Sequence, residues 1–126
     1  MSMKKPRIAV LRPFPQPVLD ILGTLGTVVG ANVDKPLEAD AALGVLQQAD
    51  AALVTSLDYI DADMLDRCPK LKVISSIGVG TDRFDLEAIE RRGIDFDYTP
   101  EAVTEATADL AFALLLGVAR RIPEAD

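Results

Sequence analysis

Short apolar runs alternate with amphipathic stretches over the first hundred residues of the chain. Arg7 to Leu11 (R-I-A-V-L) is a compact β-branched run closed by Arg12-Pro13, which predicts a buried first strand. Pro17 suits the first turn of a helix that carries Val18, Leu19, Ile21, Leu22 and Leu25 on its inner face and ends near Gly26. Thr27 to Ala31 (T-V-V-G-A) predicts a second strand, and the polar, proline-containing Asn32 to Glu38 a loop. Ala39 to Ala49 repeats apolar residues at helical spacing through Ala42, Leu43, Val45 and Leu46. Ala51 to Thr55 is the third strand, followed by the turn Ser56-Leu57-Asp58. Asp61 caps a short helix over Met64 and Leu65 that Pro69 ends. Val73, Ile74 and Ile77 mark a fourth strand, Asp85 caps a helix that runs to Arg92 and stops at Gly93, and Ile94 to Tyr98 is a fifth strand ending at Thr99-Pro100.

Five strands alternating with helices predict one parallel sheet wound on both faces by right-handed crossovers. The smallest such α/β architecture is flavodoxin-like, with strand order 2-1-3-4-5. After Pro100 the pattern changes. Thr104 is placed to cap a long helix, Glu105 to about Arg121, whose middle (L-A-F-A-L-L-L-G-V-A) is apolar on almost every face. Such a helix requires partners on several sides, which predicts a homodimer through helix 104–121, with exchange of helices favoured slightly over side-by-side packing.

The chemistry concentrates where the fourth strand meets its turn, in L-K-V-I-S-S-I-G-V-G-T-D-R-F-D from Leu71 to Asp85. Strand carboxyl ends and helix amino ends meet there in an open parallel sheet, and free backbone N–H groups favour an anion. Gly78 and Gly80 allow a ligand close to the backbone, and Val79 between them offers its amide. A dinucleotide fingerprint competes with this reading, because Gly78-Val79-Gly80 precedes a helix and Asp97 follows on the next strand. Arg83 replaces the third small residue, however, and Asp82 sets a negative charge where a pyrophosphate would lie. The plain alternative is a glycine turn that only connects strand to helix.

Composition narrows the chemistry further. The 126 residues hold one domain with a real core, and a formal charge of −7 argues against nucleic acid or an anionic membrane as partner, so an anionic ligand needs a local site. No apolar run is long enough to span a bilayer, and the N-terminus lacks the hydrophobic stretch of a secretory signal. The single cysteine, Cys68, offers neither a disulfide nor a metal cluster and suits a reducing, cytoplasmic setting. Histidine is absent, so the side chain best suited to acid–base work near neutral pH is missing, and the carboxylates Asp61, Asp63, Asp66, Glu87 and Glu90 fall at caps and helix surfaces. No catalytic residue and no metal ligand is expected.

Three blocks, P-K-L-K-V-I-S-S-I-G-V-G-T-D-R-F-D from Pro69, R-R-G-I-D-F-D-Y-T-P from Arg91, and T-E-A-T-A-D-L-A-F-A-L-L-L-G-V-A-R-R-I from Thr104, resemble successive blocks of the D-isomer-specific 2-hydroxyacid dehydrogenases, closest to the glyoxylate and hydroxypyruvate reductases. The resemblance implies a flavodoxin-like substrate domain, residues 1–100, joined at a hinge near Thr99-Pro100 to the first helix of a Rossmann cofactor domain, residues 101–126. It implies that Val79 and Gly80, with Gly78, bind a small 2-oxo or 2-hydroxy carboxylate through backbone amides, that Ser56 and Leu57 line the same cleft, and that Thr107 lies near the nicotinamide. The family's catalytic arginine, acid and histidine and its dinucleotide loop match nothing here. The expected reading is therefore a truncated, non-catalytic substrate domain that binds no cofactor alone, from a parent oxidoreductase using NAD or NADP. A flavodoxin-like binding or receiver module is the alternative; the absence of an acidic pair after the first strand opposes a receiver.

Overall fold

The computed structural model describes residues 4–30 and 34–124. Five strands, β1 (Arg7–Val10), β2 (Thr27–Val29), β3 (Ala51–Thr55), β4 (Val73–Ile77) and β5 (Asp95–Tyr98), form one parallel sheet in the order β2-β1-β3-β4-β5, as the alternation predicts. The register sets Ile8 beside Ala51, Ala51 beside Val73 and Val73 beside Asp95, so all strands begin along one edge and the turns that follow them leave from the other. Five helices follow the strands: α1 (Gln16–Leu25), α2 (Ala39–Leu46), α3 (Ala62–Asp66), α4 (Leu86–Arg91) and α5 (Thr104–Ala119).

Strand alternation divides the apolar residues between two faces. On one, Ala9, Leu11, Ala52, Val54 and Ile74 pack with Leu43 and Leu46 of α2, Leu65 of α3, and Ala88 and Ile89 of α4, forming the main core. On the other, Ile8, Val10 and Leu53 are buried, but Val73 and Ile77 remain 40% and 44% exposed, so cover is incomplete over β4.

Most elements lie within a residue or two of where the pattern predicts them, and three expectations require correction. In α1, Val18, Leu19 and Leu22 are half-buried, whereas Ile21 and Leu25 are each 63% exposed. The apolar stripe is wider than the support beneath it, for β2 is an edge strand of three residues. That strand stops early because Gly30 turns at φ +83, where an added Cβ would come within 2.4 Å of the Val10 carbonyl oxygen; Ala31 and the loop residues Asn32 and Val33 lie outside the described residues. Thr104 is the first residue of α5 rather than its cap: Val103 holds the cap position with no side-chain bond, after a turn in which Glu101 adopts φ +64 and accepts the Thr104 amide at 3.1 Å.

The short helices behave as capping rules require. Asp61 accepts the Met64 amide at 2.8 Å and Asp85 the Ala88 amide at 2.9 Å. Gly93, at φ +64, ends α4. Asp66 pairs with Arg92, and Glu87 with Arg91 one turn along the helix, so these carboxylates serve the surface of the fold. No residue of α5 is buried, and Leu110, Phe112, Leu114, Leu115, Leu116 and Val118 are all exposed.

Candidate functional site

The turns after β3 and β4 leave adjacent strands and touch. The Ser56 amide donates to the Ile77 carbonyl at 3.2 Å, and Gly78 lies so close that a Cβ added there would come within 2.6 Å of Ser56 Oγ. With φ +145, the Gly78 backbone also has a conformation that side chains other than hydrogen rarely allow. Its amide donates to Thr99 Oγ1 at 2.9 Å, while the Thr99 amide and hydroxyl each donate to its carbonyl at 3.2 Å. The turn is thus held against the end of β5.

What the turn presents is unpaired backbone. The amides of Val79, Gly80 and Thr81 donate to no acceptor among the described residues. Val79 is 51% exposed, and the nearest atom to a Cβ built at Gly80 is Asp82 Oδ2 at 3.9 Å, so a ligand can approach the main chain. The turn after β3 differs, because its amides are used: Leu57 donates to Thr55 Oγ1 at 3.2 Å and Asp58 to the Thr55 carbonyl at 3.0 Å. Ser56 and the 62% exposed Leu57 therefore have only side chains free for a ligand. Thr107, an exposed residue of α5, makes no hydrogen bond to either turn; its amide closes the helix onto the Val103 carbonyl at 2.9 Å.

Electrostatics around the turns come from Arg12, Asp58, Asp82 and Arg83. Asp58 is buried beneath the β3 turn, accepting from Arg12 Nε at 2.6 Å and from the Thr55 amide at 2.7 Å. Arg83 Nη1 donates to the Leu57 carbonyl at 3.4 Å, bridging the two turns with a cation, while Asp82 remains exposed next to it. Thr99 is legible in the sequence only as the end of a strand, since no local signal reports a bond to a residue 21 positions away. Cys68 is buried, which pushes its thiol pKa above the ordinary value against a smaller opposing influence of Arg67, so it is a poor nucleophile. No metal-binding cluster occurs among the described residues.

The expected contribution of a helix amino end is not found. Asp85 occupies the first turn of α4 with its own carboxylate, and α4 has only six residues, so any anion must be held by the loop amides. The same observation tests a nicotinamide nucleotide. A pyrophosphate needs an open helix amino end and a glycine cradle, and here it would meet the carboxylates of Asp82 and Asp85. The described residues do not fit that group.

A flavodoxin-like sheet with a glycine turn of unpaired amides at its carboxyl edge defines the class as a doubly wound α/β domain. The family model for "D-isomer specific 2-hydroxyacid dehydrogenase, catalytic domain" matches residues 8–118, and the chain belongs to that family. It is 38% identical over 122 residues to a glyoxylate reductase of Thermococcus litoralis, covering 97% of this chain and 37% of the relative, and 38% identical over 125 residues to one of Thermofilum pendens, covering 98% and 37%. Among solved structures, the TT0316 protein from Thermus thermophilus superposes with a TM-score of 0.79 at 42% identity, over 94% of this chain and 38% of that one. A 2-hydroxyacid dehydrogenase from Ketogulonicigenium vulgare gives 0.78 at 31% identity, over 98% and 38%. The chain thus spans a little over a third of the length of these relatives. Family membership disfavours a receiver module, and the end of β1 agrees: Arg12 there is bound to Asp58.

Proposed function

We propose that this chain is the substrate-binding portion of an NAD(P)-dependent 2-hydroxyacid dehydrogenase of the glyoxylate and hydroxypyruvate reductase type, and that the turn Gly78 to Gly80 anchors the substrate carboxylate. The observation that carries this reading is the pair of unpaired amides at Val79 and Gly80, on a turn clamped by Thr99. A carboxylate can accept both N–H groups, and such charge-assisted bonds are stronger than neutral ones. Held there, a 2-oxo acid would direct its reacting carbon away from the sheet, with Leu57 and Ser56 forming one wall. The nicotinamide nucleotide supplies hydride when bound, and residues other than those described must hold it. Thr107 is assigned to its vicinity only when α5 joins a cofactor domain. In this division residues 1–100 form the substrate domain, Thr99-Pro100 the hinge, and residues 101–126 the hinge side and first helix of the cofactor domain.

The exposed side chains of α5 favour a further reading, that two copies pair through helix 104–121, by exchange about the hinge or side by side. Each large side chain left bare forgoes roughly 1.5–3 kcal/mol of burial, so several together rival the roughly 5–15 kcal/mol stability of a small domain.

The carboxylate site is tested by titrating the chain with glyoxylate and following backbone amide shifts. The largest shifts are expected at Gly78 to Thr81, with a dissociation constant on the order of millimolar or weaker. Shifts centred elsewhere, or none at saturating ligand, would leave the turn as a plain connection. In parallel, NAD(P)H oxidation with glyoxylate is expected to stay far below the roughly 1 per second of ordinary enzymes.

A further inference from the structure

The opposite edge of the sheet, where the strands begin, carries a cavity of about 550 Å³ whose charge runs against that of the chain. Lys4, Lys5 and Arg7 reach it from the lead-in to β1, and Lys70 and Lys72 from the lead-in to β4. The two segments lie far apart in sequence and converge because β1 and β4 flank β3 on either side. Backbone bonds fix the arrangement: the Arg7 amide donates to Asp50 Oδ2 at 2.8 Å, the Asp50 amide to the Arg7 carbonyl at 2.8 Å, and the Lys72 amide to the Asp50 carbonyl at 2.8 Å.

Five basic residues and one acidic residue, Asp50, which already accepts the Arg7 amide, thus line the cavity. None of the five is in a salt bridge among the described residues, a condition they share with Lys35, Arg67, Arg83 and Arg120. The chain has 20 acidic against 13 basic residues, so acids to neutralise this edge were in ample supply. Arg7 sharpens the point. It donates from Nη2 to Gln48 Oε1 at 2.8 Å, but its Nε is buried with no acceptor among the described residues. A buried donor without a partner is costly, and so is a gathering of like charges; a bound anion relieves both.

We propose that this cavity is a second anion site that takes a multivalent phosphate group, as in a polyphosphate or a nucleoside triphosphate, independently of the carboxylate turn. A monovalent carboxylate would leave most of the charge unbalanced. The concave shape and volume suit a small molecule better than an acidic protein surface. Pro6, Ala51 and Val73 add an apolar floor on which the organic part of a phosphate ester can rest.

The test is an amide-shift and calorimetric titration of the whole chain with sodium tripolyphosphate, with ATP, and with an acidic peptide. Tripolyphosphate and ATP are expected to bind saturably, to shift the amides of Arg7, Ala51 and Lys72, and to weaken as salt is added. Tighter binding of ATP identifies a phosphate ester as the ligand, and equal binding identifies the phosphate chain itself. Lys70→Glu with Lys72→Glu should lower either affinity about tenfold, since two attractions become repulsions. Lys4→Gln with Lys5→Gln, in the exposed lead-in, should lower it in the same direction, and Arg91→Glu on α4 should leave it unchanged. Failure of tripolyphosphate to saturate at millimolar concentration would overturn the proposal. So would shifts centred on residues 78–81, indifference to both lysine pairs, or binding of the acidic peptide alone. Glyoxylate binding at the turn is unaffected by any of these outcomes.

Discussion

Thr99 holds the Gly78 backbone from both sides, accepting its N–H and donating to its C=O through one hydroxyl. The hydroxyl therefore links the glycine turn to the residue at which the chain leaves the sheet. Thr99→Val keeps the branched shape and removes both bonds. The expected cost is modest, roughly 0.5–1.5 kcal/mol of stability in urea unfolding, because the site is exposed. Glyoxylate-induced shifts at Val79 and Gly80 should shrink by more than that loss of stability explains, since the free amides lose their support.

Gly78→Ala should be more damaging. The added Cβ meets Ser56 Oγ at 2.6 Å and Ser56 Cβ at 2.8 Å, and φ +145 is strained for any side chain. The backbone term alone is about 1–3 kcal/mol. Ser56→Gly combined with Gly78→Ala removes the collision but not the backbone strain, so a double-mutant cycle measured by denaturation should recover only part of the loss.

These two turns show what a sequence can and cannot reveal. Gly78-Val79-Gly80 is visible as a motif because its demands are local: a strand ends, a positive φ is needed, and amides are left free. The partners that stiffen it are invisible for the opposite reason, since Thr99 and Ser56 come from other turns and meet it only when β3, β4 and β5 align. The same limit explains α1, where the spacing of Ile21 and Leu25 marks an apolar stripe correctly but cannot report how little sheet lies beneath it. Thr104 reads as a cap and is not one, because a cap residue is defined by the turn before it, and here Glu101 sets that turn with a left-handed conformation no motif announces.

Arg12→Met leaves the Asp58 carboxylate buried without its cation. Because Asp58 retains the Thr55 amide and hydroxyl, the expected cost is about 1–3 kcal/mol, below the roughly 3–5 kcal/mol of a fully buried pair. Asp58→Asn should cost less than Arg12→Met, as the remaining cation is the more exposed partner. The reverse ranking in urea melts would assign the pair no such asymmetry.

Association through α5 is expected to produce a dimer at micromolar concentration by sedimentation. Phe112→Lys with Leu115→Lys places two charges on the apolar helix and should shift the chain to monomer while leaving the sheet intact by circular dichroism. A monodisperse wild-type monomer, or a dimer of the double variant with unchanged affinity, would remove α5 as the contact.

Among the described residues every buried apolar residue lies at or before Ile94, while α5 contributes none. On the ribosome, where chains emerge amino end first at roughly 5–20 residues per second, the sheet has all it needs to close its core once β5 is out. The glycine turn would then be complete, with its Thr99 clamp, before α5 has emerged. Whatever α5 later packs against is thus added to a finished scaffold, and an error in that late step need not unmake the early one.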